Sequence, residues 1–348
     1  MFLGHALLAF ALATLLADWR GWPARRALTL GVIAGAFAAI PDIDVAYAAV
    51  ALDFGRLTTE SVARPSTFWD ATRGVHRAMT HSLIVSLLAG PAFGLWTGAK
   101  NGSALTRTIG RGVGAAVLVG LVTVAALSSG PLGAIVMGLF AVAGVGVALL
   151  CRIATDFSAR TIGLAATAGL LSHPWGDLVT GEPPQLFYPL SVRVFDGRVM
   201  LHDDATVHLL GAFALELAVV WLAAFAIARV TDHSLSRLVD RRASIGVAYG
   251  MVAVVMTPPT LDVSYHFVFS ILAVGIVCAG FSARSAVSAS VTDLRQWFGL
   301  PTFDGVLAGE LEGVHASSLQ VAFTALTGIT AALWGYATVY SIAIFVTA

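Results

Sequence analysis

The chain has 348 residues, no formal net charge, and is 57% hydrophobic with only 11% charged residues. A soluble domain would be closer to half apolar and about a quarter charged, so this composition describes an integral membrane protein. Zero net charge and the lack of a basic run exclude an electrostatic nucleic-acid surface, and Cys151 and Cys278 form no CxxC pair that would make a thiolate zinc site.

Apolar runs predict an all-α, polytopic transmembrane helix bundle of about ten spans, at 2–17, 27–41, 80–97, 109–128, 131–150, 160–179, 206–229, 243–258, 264–282 and 318–346. The first run has no basic residue before it and reads as an uncleaved span carrying His5. The second ends at Pro41-Asp42-Ile43-Asp44. A polar segment, 51–79, leads into His76-Arg77-Ala78-Met79-Thr80-His81-Ser82 at the opening of the third. The sixth closes on His173-Pro174-Trp175-Gly176-Asp177. Beyond it, residues 180–205 carry Pro183-Pro184 and an Asp196-Gly197 turn signal, which predicts a small hairpin lid. Residues 291–300 have the pattern of an interfacial amphipathic helix.

Alternating crossings bring all of these polar residues to one membrane face. An error of one span between residues 82 and 172 would move His173 and Asp177 across the bilayer, so the agreement is a constraint. Fourteen of the twenty Lys and Arg residues fall on the opposite face. The positive-inside rule makes that face cytoplasmic, which predicts a multi-pass protein of the cell membrane with its polar cluster looking outward.

Ionisable groups at membrane depth are costly, and each is a functional candidate by default. Imidazole with carboxylate is the donor set of Zn²⁺ and similar divalent ions. The expected metal ligands are His5, Asp42, Asp44, His76, His81, His173 and Asp177, around one or two ions. His76 and His81 are five apart, so they meet only if His76 lies in the loop and His81 at the helix start. Thr80 is the expected N-cap, and the free N–H groups of that helix start, with Arg77, are expected to dock a phosphate. His173 and Asp177 have i, i+4 spacing on one helical face, with a kink at Pro174. Asp44, Arg77 and Asp177 are the residues assigned to catalysis. Glu216, His202, Asp203, Asp204, His208, Asp262 and His266 are weaker candidates, each also read as solvated loop or packing. His233 and His315 fall on the cytoplasmic side. The chain has no HExxH, no GxSxG and no P-loop.

At these positions the sequence resembles the YdjM-like family, described as inner-membrane-associated metal-dependent hydrolases, some of them LexA-binding. The matching stretches are Gly4-His5, Pro41-Asp42-Ile43-Asp44, the His76 to Ser82 element, His173 to Asp177, Thr180-Gly181 and Tyr188-Pro189-Leu190-Ser191. Val45 departs from the family, which often continues with His. The resemblance covers about 1–230, giving a membrane hydrolase domain there and a C-terminal transmembrane extension over 231–348. LexA binding finds no counterpart, because the cluster faces away from the cytoplasm. The order His, Pro-Asp, His, His-x-x-x-Asp is also loosely similar to that of zinc-dependent phospholipase C, which implies phosphoester hydrolysis at a lipid headgroup. The expected activity is metal-dependent hydrolysis of a lipid or other amphiphilic phosphoester, with the bilayer as partner. The other reading is a transport or scaffold protein whose cluster is an ion pathway or a structural metal site.

Overall fold

The computed structural model describes residues 2–47, 77–98, 103–261, 263–287 and 316–347. The described residues are helical with no strand, and they fall into two compact units. The first comprises residues 1–21 and 27–199, the second 22–26 and 200–348.

In the first unit, α1 (Phe2–Trp19) and α2 (Ala24–Ala38) are joined by a tight turn at Gly21, whose φ of 73° is in the left-handed region glycine tolerates. The two helices touch through α2 glycines: a Cβ on Gly35 would sit 2.8 Å from the Ala6 carbonyl oxygen. This hairpin returns the chain to its starting end. His5 therefore lies beside the 3-10 helix Pro41–Tyr47 that follows α2.

Helix α3 (Leu83–Thr97) pairs with α5 (Ala159–Ser172) in an antiparallel register set by small residues. Gly90 faces Thr167 and Gly94 faces Gly163, so residues approaching 81 lie opposite those following 172. Between them runs α4 (Ala104–Ala154), broken at Gly130 (φ 71°, ψ −166°) just before Pro131. The break is a reversal: a Cβ on Gly133 would meet the Ala125 oxygen at 2.7 Å, far closer than eight residues of straight helix permit. Both open ends of this hairpin reach the end of α3, where Arg111 Nε donates to the Trp96 carbonyl at 3.4 Å and Arg152 bonds that of Thr97. Its tip lies at the other end, beside Met79 and Tyr188.

Among the described residues, four apolar stretches are long enough to cross a bilayer by length and composition: Ala24–Val45, Ala104–Ala154, Ala205–Val230 and Leu319–Val346. The ten expected spans are not supported. Helices α1 and α3 are shorter apolar segments. Helix α5 stops at Ser172, because Pro174 has no N–H to continue the ladder. The run at 243–258 is a 3-10 helix, Arg241–Met251, with one α turn, α9 (Val252–Val255), after it. The hairpin lid is also absent. Residues 181–204 form turns and bends with no strand: three prolines remove donors, Leu186, Tyr188 and Leu190 close local turns, and two N–H groups bond outside the segment, Gln185 to the Arg77 carbonyl at 3.0 Å and Val199 to that of Leu178 at 2.8 Å. The amphipathic segment 291–300 lies outside the described residues.

Beyond α6 (Asp177–Thr180), the second unit contains α7 (Ala205–Val230), α8 (Leu235–Leu238), α9, α10 (Tyr265–Val287) and α11 (Ala316–Thr347). Leu209, Leu217, Phe267, Ile271, Leu333 and Tyr336 form its core. The 3-10 helix fits against α11 because Ala243, Gly246 and Gly250 present a small-residue face; a Cβ on Gly250 would meet the Gly335 carbonyl at 2.7 Å.

Gly94→Val should destabilise the first unit by about 1–3 kcal/mol or more, since its nearest neighbours are backbone atoms of Ala159 and Gly163 that cannot rotate away. Thermal unfolding in detergent micelles measures it.

Candidate metal centre

The start of α1, the end of α2, the start of α3 and the end of α5 each deliver a side chain to one place. His5, Asp44, His81, His173 and Asp177 are all buried there, at 0–3% exposure, with Asp42 slightly more open. His76 lies outside the described residues.

Local structure explains how each arrives. Pro174 ends α5 and turns residues His173–Trp175 into a 3-10 helix, so His173 and Asp177 both face inward. The backbone reverses at Arg77, whose φ of 64° is unusual outside glycine. That reversal lets Arg77 N–H donate to Asp44 Oδ2 at 3.1 Å. The N-cap of α3 is Ser82, not Thr80: Ser82 Oγ accepts from the Ile84 and Val85 N–H groups. Leu83 N–H bonds the Leu186 carbonyl at 2.8 Å. The first turn is therefore already satisfied, and the expected phosphate dock on its N–H groups is not available.

Thr80 does something else. Its hydroxyl donates to Asp44 Oδ2 at 3.0 Å, which leaves its oxygen to accept from His81 Nδ1–H, also at 3.0 Å. Asp44 Oδ2 lies 3.5 Å from the same Nδ1. His173 Nδ1–H donates to the Ala38 carbonyl at 2.6 Å. Both imidazoles are thus held with Nε2 as the lone-pair atom, the arrangement in which outer hydrogen bonds orient metal-binding histidines.

Those two Nε2 atoms face each other at 3.0 Å. His81 Nε2 is 3.2 Å from Asp177 Oδ2 and 3.9 Å from Asp42 Oδ1. His173 Nε2 is 3.5 Å from Asp42 Oδ1 and 3.8 Å from Asp177 Oδ2. Four bonds of ~2.0–2.1 Å in a tetrahedron set its ligand atoms about 3.3 Å apart, and these five edges straddle that value. His5 adds a further donor: its Nε2 is 3.3 Å from Asp177 Oδ1, and its ring lies 4.1 Å from that of His173. Asp42 Oδ2 is buried with no hydrogen-bond partner. With both imidazoles neutral the centre would hold acceptors alone, so a buried site of this kind needs positive charge, either a proton on His81 or a bound cation.

In the absence of a metal, a proton on His81 takes the part of the positive charge. Burial opposes charge on His81, but the hydrogen bond to Asp177 and the surrounding carboxylates outweigh it and raise its pKa. Burial and the neighbouring His81 and His5 hold His173 well below the usual imidazole range. Burial would raise Asp177, yet hydrogen bonds from His5 and His81 and the charge of Arg77 keep it well below the carboxylate range. Two overlapping groups have the geometry to hold a cation, His5–Asp42–His173 and His81–His173–Asp177, sharing His173.

Arg77 is engaged with Asp177: NH2 is 3.0 Å from Oδ1, and NH1 donates to the carbonyls of Asp177 at 3.5 Å and Glu182 at 3.3 Å. Its Nε is buried without a partner. The weaker sequence candidates belong to the second unit, and several have partners of their own there. Asp204 caps α7 and accepts from Tyr340, while His202 and His208 accept backbone N–H groups of Asp204 and Leu201. His233 contacts the Thr231 hydroxyl, and His266 stacks on Tyr265. Glu216 and Asp203 belong to no metal-binding group among the described residues, and Asp262 and His315 lie outside them. Sequence reasoning missed the bridging role of Thr80. Its position next to His81 was the available signal, and it fits a cap equally well.

Residues 1–131 match the model of the family described as YdjM inner membrane protein. This bears out the resemblance carried by Gly4-His5, Pro41 to Asp44 and His76 to Ser82, and it supports a membrane location. His173 to Asp177 and Tyr188 to Ser191 fall beyond the matched stretch. No curated protein and no solved structure matches the chain. The similarity to zinc-dependent phospholipase C therefore rests on the order of the residues alone.

Removing the Thr80 hydroxyl should loosen the centre without touching a ligand atom. Thr80→Val is expected to weaken divalent-metal binding by roughly 10–100-fold, and Thr80→Ser to retain it. Competition titration against a chromogenic chelator distinguishes the two.

Proposed function

We propose that the chain is a membrane-embedded, metal-dependent hydrolase that cleaves a phosphoester in a lipid or other amphiphilic substrate. One observation carries the reading: the Nε2 atoms of His81 and His173 lie 3.0 Å apart and each within 3.2–3.9 Å of a carboxylate oxygen of Asp42 and of Asp177, with each imidazole oriented from behind. Nitrogen and oxygen donors without thiolate suit Zn²⁺ among the borderline divalent ions. When bound, such an ion supplies Lewis acidity and a nucleophile from water near neutral pH.

The residues then divide the work. His81, His173, Asp42 and Asp177 hold the cation, and His5 completes the shell or begins a second one; His76 is proposed as a further ligand on its place in the sequence motif. Asp44 acts through Thr80 and His81 as a positioning residue, since it accepts from both Thr80 and the Arg77 backbone. Arg77 fixes Asp177 and keeps Nε as a donor for a phosphate oxygen. The arginine distribution supports a multi-pass arrangement with the site at the outer face.

Protein purified from metal-replete cells should retain at least one equivalent of divalent metal by elemental analysis. His81→Ala and Asp177→Ala should each lower the affinity by more than the roughly 100-fold typical of outer-sphere partners. They should also abolish turnover of a fluorogenic phosphoester in proteoliposomes. A protein that folds and never takes up metal would defeat the reading. Orientation is checked separately: reporters fused within 98–108 should report cytoplasmic, and those within 180–205 external, with the reverse pattern placing the centre on the inner face.

A further inference from the structure

A cavity of about 330 Å³ opens on the side of the first unit, between α3, the first limb of α4 and the segment 188–190. Ile84 and Leu88 form one wall, Leu121 and Val124 the other, and Tyr188 and Leu190 the roof. We propose that this groove binds one acyl chain of a glycerophospholipid whose phosphoester lies at the His–Asp centre. The proposal rests on the hydrolase reading above and names its substrate class.

The chemistry of the walls selects the occupant. None of the lining side chains is charged, and the one hydroxyl, on Tyr188, is bonded to Ser128. A peptide or sugar placed there would lose its hydrogen bonds to water and gain none. Leu88 and Val124 remain 48% and 37% exposed, so the groove is open laterally. Its α4 wall belongs to an apolar stretch long enough to cross a bilayer, so the opening faces hydrocarbon. The volume falls at the small end of the ~300–1,000 Å³ usual for a ligand site, which suits part of one chain better than a long polyprenyl tail.

Continuity with the centre separates this groove from ordinary lipid-facing surface. Ser82, the residue after His81, donates through Oγ to the carbonyls of Tyr188 at 2.8 Å and Leu186 at 3.3 Å. The same segment begins at Glu182, whose carbonyl accepts from Arg77, and Gln185 N–H bonds the Arg77 carbonyl. One strip of chain therefore touches Arg77 at one end and roofs the groove at the other. A headgroup beside Arg77 and Asp177 and a tail under Tyr188 and Leu190 would belong to the same molecule.

The test uses the full chain in nanodiscs and a phosphatidylglycerol probe with a diazirine at the end of one acyl chain. Crosslinks should concentrate on peptides containing residues 84–88 and 121–124, several-fold above those on the equally apolar surface around Leu149 and Ile153. Leu88→Trp should remove most of that excess, and Val124→Trp, from the opposite wall, should do the same if the first variant fails to fold. Labelling spread evenly over all apolar helices would mean annular lipid only and would overturn the groove, whatever the hydrolytic activity. Displacement of the probe by a polyprenyl phosphate and not by unlabelled phosphatidylglycerol would overturn the acyl assignment. A groove that labels as expected in a protein that takes up metal without turnover would leave the lipid site standing and sink the hydrolase.

Discussion

The arrangement depends on positive charge among the closely set acceptors of His81, His173, Asp42 and Asp177. Two neutral imidazoles 3.0 Å apart, each with its proton committed on the far side, would not satisfy each other; a proton on His81 Nε2 or a bound cation does. Asp42 Oδ2, buried with no hydrogen-bond partner, adds to the same charge excess. In water these groups would turn outward. Here the protein pins them from behind, and unpaired acceptors inside a protein cost several kcal/mol apiece unless something positive joins them. Fixed orientation of this kind is what separates a ligand set from a chance meeting of polar residues.

The scaffold that imposes the convergence is made of glycine contacts more than of large side chains. Gly35 admits α1, Gly90 and Gly94 admit α5, and Gly169 lets α5 approach the Ala34 carbonyl of α2. Close backbone approach fixes the axial register of helices, because a slide of one residue replaces a glycine by a side chain that does not fit. Register in turn fixes which ends coincide. His173 bonds the Ala38 carbonyl because Gly169, one turn earlier, is seated against Ala34. The chemistry of the site is thus set by contacts a full turn away from it.

Much of the site could be read before any coordinates, and the reason is topological. Counting apolar runs from His81 to His173 gives four, an even number that returns the chain to its starting side, and the break at Gly130 supplies the reversal that helix length alone would hide. Pro41 and Pro174 marked helix ends correctly, since a missing N–H acts locally and needs no tertiary information. Where the outcome depended on packing, sequence was a poor guide. The stretch 243–258 is as hydrophobic as a span, but its small residues let it wind as a 3-10 helix against α11. Thr80 and Ser82 are both good caps by residue type. Only the placement of Asp44 decides that Thr80 bridges to His81 and Ser82 takes the helix.

Two of the helices that lead into the cluster are short. Helices α3 and α5 have 15 and 14 residues and rise roughly 21–23 Å, less than the ~30 Å hydrocarbon core of a bilayer. Each limb of α4, by contrast, has enough residues for a full crossing. The ends of these short helices are overlain by the segment that Ser82 and Arg77 tie down. The proposed function must meet a conflict common to any enzyme acting on a membrane lipid. The reacting group needs a charged centre, while the remainder of the molecule is most stable in hydrocarbon. Under that proposal, a polar cluster at the ends of short helices, flanked by a longer apolar wall, would let one lipid occupy both environments.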